Sequence, residues 1–162
     1  MREAPIILMG VSGCGKSTIG HRLADALGRP FLEGDDFHPP SNVKKMAQGI
    51  PLQNVDRKAW IEALCAAANR QPTAVIACSA LNETVRDWIN TGLSRSPIYI
   101  WLTAPEAVLA KRLAARTGHF FDPTLLRSQF EALQAPQAVI QISVDQPIEA
   151  VLRDVQSALD DQ

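Results

Sequence analysis

The chain has 162 residues, 46% of them hydrophobic, enough for one globular domain with a continuous core, and nothing in its length calls for a second. Sixteen basic residues against 17 acidic ones leave a net charge of −1, which excludes a general field for nucleic acid or an anionic membrane, so any anion site must be local. The opening "MREAPIILMGVSG" has too short an apolar run for a membrane span and lacks a secretory cleavage pattern, so the expectation is a cytoplasmic protein. Three cysteines without a CxxC pair fit neither a disulfide framework nor a structural zinc site.

In chain order, "PIILMG" reads as a buried strand, followed by a helix over residues 16–27 with Ile19, Leu23 and Leu27 on one face and Gly28 as its C-cap. "PFLEG" reads as a second strand. A short helix is expected over residues 41–46, and a longer one from about Asp56 with Trp60, Leu64 and Ala67 on one face. "TAVIACSA", uncharged and rich in small and β-branched residues, is expected as a strand covered on both faces at the sheet centre. A helix over residues 82–91, the strand "PIYIWL", a helix with Pro105 in its first turn and the strand "AVIQISV" follow. The last helix starts near Pro147, with Ile148, Val151, Leu152, Val155 and Leu159 as its core stripe. Five strands alternating with helices predict an α/β fold, a three-layer α/β/α domain over residues 1–162 around a five-stranded parallel sheet.

Between the first strand and first helix stands "GVSGCGKST", residues 10–18, which fits G-x-x-x-x-G-K-[ST]. Gly10, Gly13 and Gly15 let backbone N–H groups converge on phosphate oxygens, with those of Val11, Ser12, Cys14 and Thr18 in the same loop, and the helix N-terminus adds partial positive charge. Lys16 is placed to reach the β- and γ-phosphates of ATP, and Ser17 to give its hydroxyl to Mg²⁺. The thiol of Cys14, at a helix N-terminus, is a candidate for alkylation that ATP would block. No N-K-x-D reads guanine, and "VIACSA" ends without the acid that a motor ATPase uses for its metal. What remains is a small phosphotransferase.

"GDDFHPP", residues 34–40, leaves the second strand at the carboxyl edge, where doubly wound sheets bind ligands. A carboxylate there accepts or orients the attacking hydroxyl, and Asp35 is the choice for this role. Glu33 is expected to support the metal through water, Asp36 to cap the next helix, and His38 either to hydrogen-bond substrate or to orient the loop. In "KRLAARTGHFFDP", Arg112 and Arg116 lie four apart, as cations for the transferring phosphoryl group or as a basic last turn answering the helix dipole. They lead into a lid expected near residues 112–125.

At "LMGVSGCGKST", "GDDFHPPSNVKKMAQGIPL", "DRKAWI", "CSAL" with "VRD", "GHFF" and "SQFEAL", the chain closely resembles the gluconate kinase (gluconokinase) family of P-loop sugar-acid kinases over almost its whole length. The resemblance implies a fold like that of nucleoside monophosphate and shikimate kinases, with phosphoryl transfer from ATP to the 6-hydroxyl of D-gluconate. It further implies a homodimer and an acceptor region near residues 35–60. Carried over to this chain, it makes Lys16, Asp35 and Arg116 catalytic, adds Arg112 to the nucleotide site, and gives Arg57, Ser79 and His119 to substrate beside Asp35 and His38. Arg57 could equally pair with Asp56 or Glu62, and Arg86 is either another cation or part of a solvated helix face. Asn82 stands where the family has lysine and Ala59 where it has proline, departures that bear on acceptor affinity and identity. The rival readings are a kinase for another small acceptor such as shikimate, and an ATP-binding regulatory module without turnover.

Overall fold

The computed structural model describes residues 3–116 and 123–162. Its strands are β1 (Ile6–Met9), β2 (Phe31–Glu33), β3 (Val75–Ala77), β4 (Ile98–Thr103) and β5 (Ile140–Ser143), all parallel in the order β2-β3-β1-β4-β5. Ile6 of β1 aligns with Val75 on one side and Ile98 on the other, so β1 holds the centre and β3 lies one place away, correcting the expected position of "TAVIACSA". β3 is nonetheless covered on both faces, as its composition requires.

The alternation of a strand sorts the core into two halves. Ile6 and Leu8 of β1 enter one cluster with Ile19 and Leu23 of α1 (Lys16–Leu27), Leu109 of α5 (Glu106–Ala114), Leu126 of α6 (Pro123–Ala132) and Val151 of α7 (Ile148–Asp160). Ile7 and Met9 face the other, built on Trp60, Ile61 and Leu64 of α3 (Asn54–Arg70) and Val85 and Ile89 of α4 (Glu83–Gly92). Helices thus cover both faces, the three-layer α/β architecture the sequence predicts.

Local signals act where expected, with some differences. Gly28 ends α1 in a left-handed conformation, but Leu27, the last residue of the expected stripe, is 37% exposed. Ile148 of α7 is likewise exposed, while Val151 and Val155 are buried. α3 begins two residues earlier than expected because Gln53 and Asp56 form a reciprocal cap. α2 (Pro40–Ala47) has Pro39 at its N-cap with no side-chain acceptor, so Asp36 does not cap it; Asp36 lies instead in a 3-10 turn, Gly34–Phe37. Among the described residues no helix is long and apolar enough to cross a membrane.

Candidate active site

The loop after β1 is shaped by glycines in conformations closed to other residues. Gly10, Gly13 and Gly15 have φ of 147°, 82° and 89°. A Cβ on Gly10 would stand 2.7 Å from the Leu102 carbonyl oxygen, and one on Gly13 would stand 2.8 Å from Cγ of Leu113. The loop therefore nests against β4 and α5 at its glycines, and Gly15 is the N-cap of α1, whose first N–H groups have no side-chain cap. Val11 and Cys14 are buried beneath it; the sealed Cys14 Sγ is not open to alkylation, which removes that expectation.

Lys16 curls back over the loop, its Nζ donating to the carbonyl oxygens of Gly10 at 2.9 Å and Val11 at 3.1 Å. Ser17 Oγ donates to Glu33 Oε2 at 2.5 Å, joining the start of α1 to the end of β2. These two oxygen donors suit Mg²⁺, a hard cation that keeps waters and phosphates among its ligands. Among the described residues there is no cluster of three or more His, Cys, Asp or Glu that could hold a metal ion.

Two adjoining cavities use this cradle. One, of about 270 Å³, brings together Ser12, Lys16, Ser17, Glu33, Asp35, Ser79 and Arg116. The other, of about 390 Å³, runs past Gly13, Cys14 and Thr18 to Arg112, Arg116 and Val144. Asp35 and Lys16 thus line the same space, with the Asp35 side chain 83% exposed. Arg112 donates to the Val144 carbonyl oxygen, anchoring α5 to the strand end. Arg116 lies beyond the end of α5, past its C-cap Ala115, yet borders both cavities. A larger cleft of about 660 Å³ beside α4 has no glycine cradle, and the arginine at its wall, Arg86, is already engaged.

His38 and Arg57 line neither cavity. The His38 side chain is only 4% exposed and stacks on Trp60, with ring centroids 4.2 Å apart; burial, ahead of the opposing Asp35 charge, lowers its pKa below the ordinary value. Arg57 donates to Asn54 Oδ1 at 3.3 Å, while Asp56, the partner weighed for it, pairs with Lys45 at 2.8 Å. Desolvation lowers the Arg57 pKa. His119 lies outside the described residues.

Three supports escape a reading of the sequence. Arg86 is 7% exposed, neither a solvated charge nor a cleft cation: it donates to the carbonyl oxygens of Ala80, Leu81 and Gln134. It thereby holds the loop after β3, where Ala80 has a φ of 46°. Asn82, in place of the family's lysine, caps α4 by accepting from the Val85 backbone N–H. Gln129 of α6 grips Ser12 of the glycine loop. Only the "SQFEAL" stretch marked its neighbourhood.

A phosphate-sized cradle of backbone N–H groups facing a carboxylate across the carboxyl edge of a parallel sheet defines the class, a small P-loop kinase. The family profile described as Shikimate kinase matches residues 12–149. Thermosensitive gluconokinase of Escherichia coli (strain K12) is 40% identical over 167 residues, covering 98% of this chain and 89% of that protein. The crystal structure of a gluconokinase from Sinorhizobium meliloti 1021 superposes with a TM-score of 0.91 at 38% identity, covering 98% of this chain and 93% of that one. The chain belongs to the gluconokinase family. Shikimate kinase from Aquifex aeolicus, at a TM-score of 0.62 and 18% identity over 96% of each chain, shares the fold.

Proposed function

We propose that the protein transfers the γ-phosphoryl group of ATP to the 6-hydroxyl of D-gluconate, giving 6-phospho-D-gluconate and ADP. The observation that carries this reading is full-length identity of 40% to a gluconokinase, joined to a cavity lined by both the cradle lysine and an exposed carboxylate. In this reading residues 1–162 act as one kinase domain in the cytoplasm, as a homodimer, with a lid near residues 112–125 and an acceptor region near residues 35–60.

Phosphoryl transfer asks the protein chiefly to position groups and balance charge. The N–H groups of Gly10, Ser12 and Cys14 are engaged by Ser79, Gln129 and Val11 oxygens, so the phosphates are held by the other N–H groups between residues 10 and 18. Lys16 leaves the loop carbonyls to meet the β- and γ-phosphates. Ser17, backed by Glu33, would hold Mg²⁺, which when bound neutralises charge between those phosphates. Asp35 accepts the proton of the attacking hydroxyl or aligns it with the phosphorus. Arg112 and Arg116 offset the charge that spreads over the transferring group, and closure of His119 with its neighbours keeps water from competing. Arg57, which lies outside both cavities at rest, is the anchor for a carboxylate or hydroxyl of gluconate, and Ser79 contacts the acceptor from the cavity that it lines with Asp35.

The test is ADP release with Mg-ATP and a panel of D-gluconate, other aldonic acids, shikimate and no acceptor. Stimulation by gluconate is expected. The family profile makes shikimate the pertinent rival, and stimulation by shikimate in its place would overturn the acceptor assignment. ATP binding without turnover on any acceptor would favour a regulatory module.

A further inference from the structure

Asn42 of α2 is 1% exposed, and a buried amide must find partners for its hydrogens. Its Nδ2 lies 2.9 Å from the Asp56 carbonyl oxygen and 3.2 Å from His38 Nδ1. A carbonyl oxygen only accepts, so the atom facing it must be the amide nitrogen, which fixes the orientation of the Asn42 side chain. That NH₂ group has two hydrogens and no lone pair to offer. The ring nitrogen it meets must therefore accept, and in a neutral imidazole the proton then sits on Nε2.

We infer that Asn42 is a positioning residue for phosphoryl transfer: by holding His38 as the Nε2–H tautomer it gives the Asp35 carboxylate a fixed hydrogen-bond donor. The inference rests on the reading of Asp35 as the group that meets the acceptor hydroxyl. His38 Nε2 stands 3.8 Å from Asp35 Oδ1. The imidazole has no room to move, because it stacks on Trp60 and Trp60 in turn donates from Nε1 to the Gly34 carbonyl oxygen at 2.7 Å. The exposed Asp35 side chain is the member free to swing in. Asp35 lines the cavity, and a carboxylate held on one oxygen by Nε2–H keeps its other oxygen for the acceptor hydroxyl.

The same contact keeps the ring neutral. The groups around it are Asp35 on its own turn, Asn42 of α2, and Trp60 and Arg57 of α3. Asp35 favours a charged ring, whereas burial and Arg57 oppose it. Protonating Nδ1 would also set an N–H against the NH₂ of Asn42. A neutral donor orients Asp35 without the full positive charge that would weaken it as a base.

The experiment is ¹⁵N NMR of the imidazole nitrogens in the full-length protein, with His38 distinguished from the chain's other two histidines by its loss in His38→Gln. An unprotonated Nδ1 with a protonated Nε2 is expected throughout the neutral range. An Nδ1–H tautomer or a charged ring there overturns the inference. Asn42→Asp, which offers Nδ1 an acceptor, is expected to raise the His38 pKa and lower kcat several-fold with KM for ATP unchanged. His38→Gln, whose amide nitrogen replaces Nε2, is expected to retain more turnover than His38→Asn, whose amide replaces Nδ1; equal losses count against the inference. Full turnover in Asp35→Asn would overturn the acceptor-site reading itself. Lost turnover there, combined with the wrong tautomer or with unaltered kcat in Asn42→Asp, overturns this inference alone.

Discussion

Gln129 and Ser12 are joined by two hydrogen bonds across 117 positions of sequence: the Ser12 backbone N–H donates to Oε1 at 2.6 Å, and Nε2 donates to the Ser12 hydroxyl at 2.8 Å. One amide thereby fixes the glycine loop to α6, which packs on the cradle side of the sheet. Gln129→Ala removes both bonds and should cost about 1–2 kcal/mol in denaturant unfolding. A less pre-shaped cradle should also raise KM for ATP several-fold, with KM for the acceptor changed much less. Unaltered values for both stability and ATP would show that the bonds exchange for water at no cost.

Asp35→Asn keeps the shape of the side chain but cannot take a proton. Turnover should fall by about two orders of magnitude or more, with ATP affinity measured by calorimetry nearly unchanged. A parallel loss of ATP binding would assign Asp35 to the nucleotide instead.

Gly34 is the pivot that turns the chain from β2 into the Asp35 turn. A Cβ there would stand 2.3 Å from the Ala77 carbonyl oxygen, against the backbone of the neighbouring strand. Gly34→Ala forces β2 and β3 apart and should destabilise by about 1–3 kcal/mol, read as a lowered Tm. Gly28→Ala makes a useful contrast: a Cβ there meets nothing within 4 Å, and only its φ of 63° opposes the change.

Arg86→Ala removes a donor from three backbone carbonyl groups, of which that of Leu81 keeps the Gln134 N–H. Hydrogen bonds to a charged group contribute about 1.5–3 kcal/mol each, so a loss of about 3 kcal/mol or more is expected in urea unfolding. Arg86→Lys should recover only part of it, because an ammonium cannot reproduce the planar fork that spans Ala80 and Gln134.

Alkali should unfold the protein through its buried acids. Burial pushes the Cys65 thiol up to about 11 and Cys78 up to about 12, and raises Tyr99 as well. Each is an acid whose neutral form the fold favours, so the unfolded chain loses its protons first. Stability is fully present below the unfolded thiol value near 9 and declines as pH rises from there towards the folded values. Tm followed across that range should fall, and Cys78→Ala should make the fall shallower.

How much of this was legible depends on whether a residue declares its partner. Ile19, Leu23 and Gly28 announce α1 because spacing and cap are local, and residues 10–18 declare an anion site because few other tasks need that run of glycines before a lysine. The rank of β3 beside β1 is illegible, since a strand covered on both faces looks the same at the centre and one place out. α6 buries only Leu126 fully, with Phe130 partly buried one turn on, and matters for a polar contact at Gln129 that this short apolar stripe does not advertise. Arg86 and Asn42 read as ordinary polar residues, and only their buried acceptors, brought from distant segments, give them roles. The chemistry of His38 was visible, but its retreat behind Trp60 was not.

The lysine folded over its own loop has a consequence for which anions the protein can tell apart. Its ammonium already has two carbonyl partners, so a ligand must offer enough to lure it away. A lone phosphate seated among the loop N–H groups gains the cradle but gives up little by leaving Lys16 where it is. A chain of phosphates long enough to reach the ammonium replaces both of its partners at once. The resting contact thus sets an expected length gauge: triphosphate should draw Lys16 off the loop, and free phosphate should leave it in place.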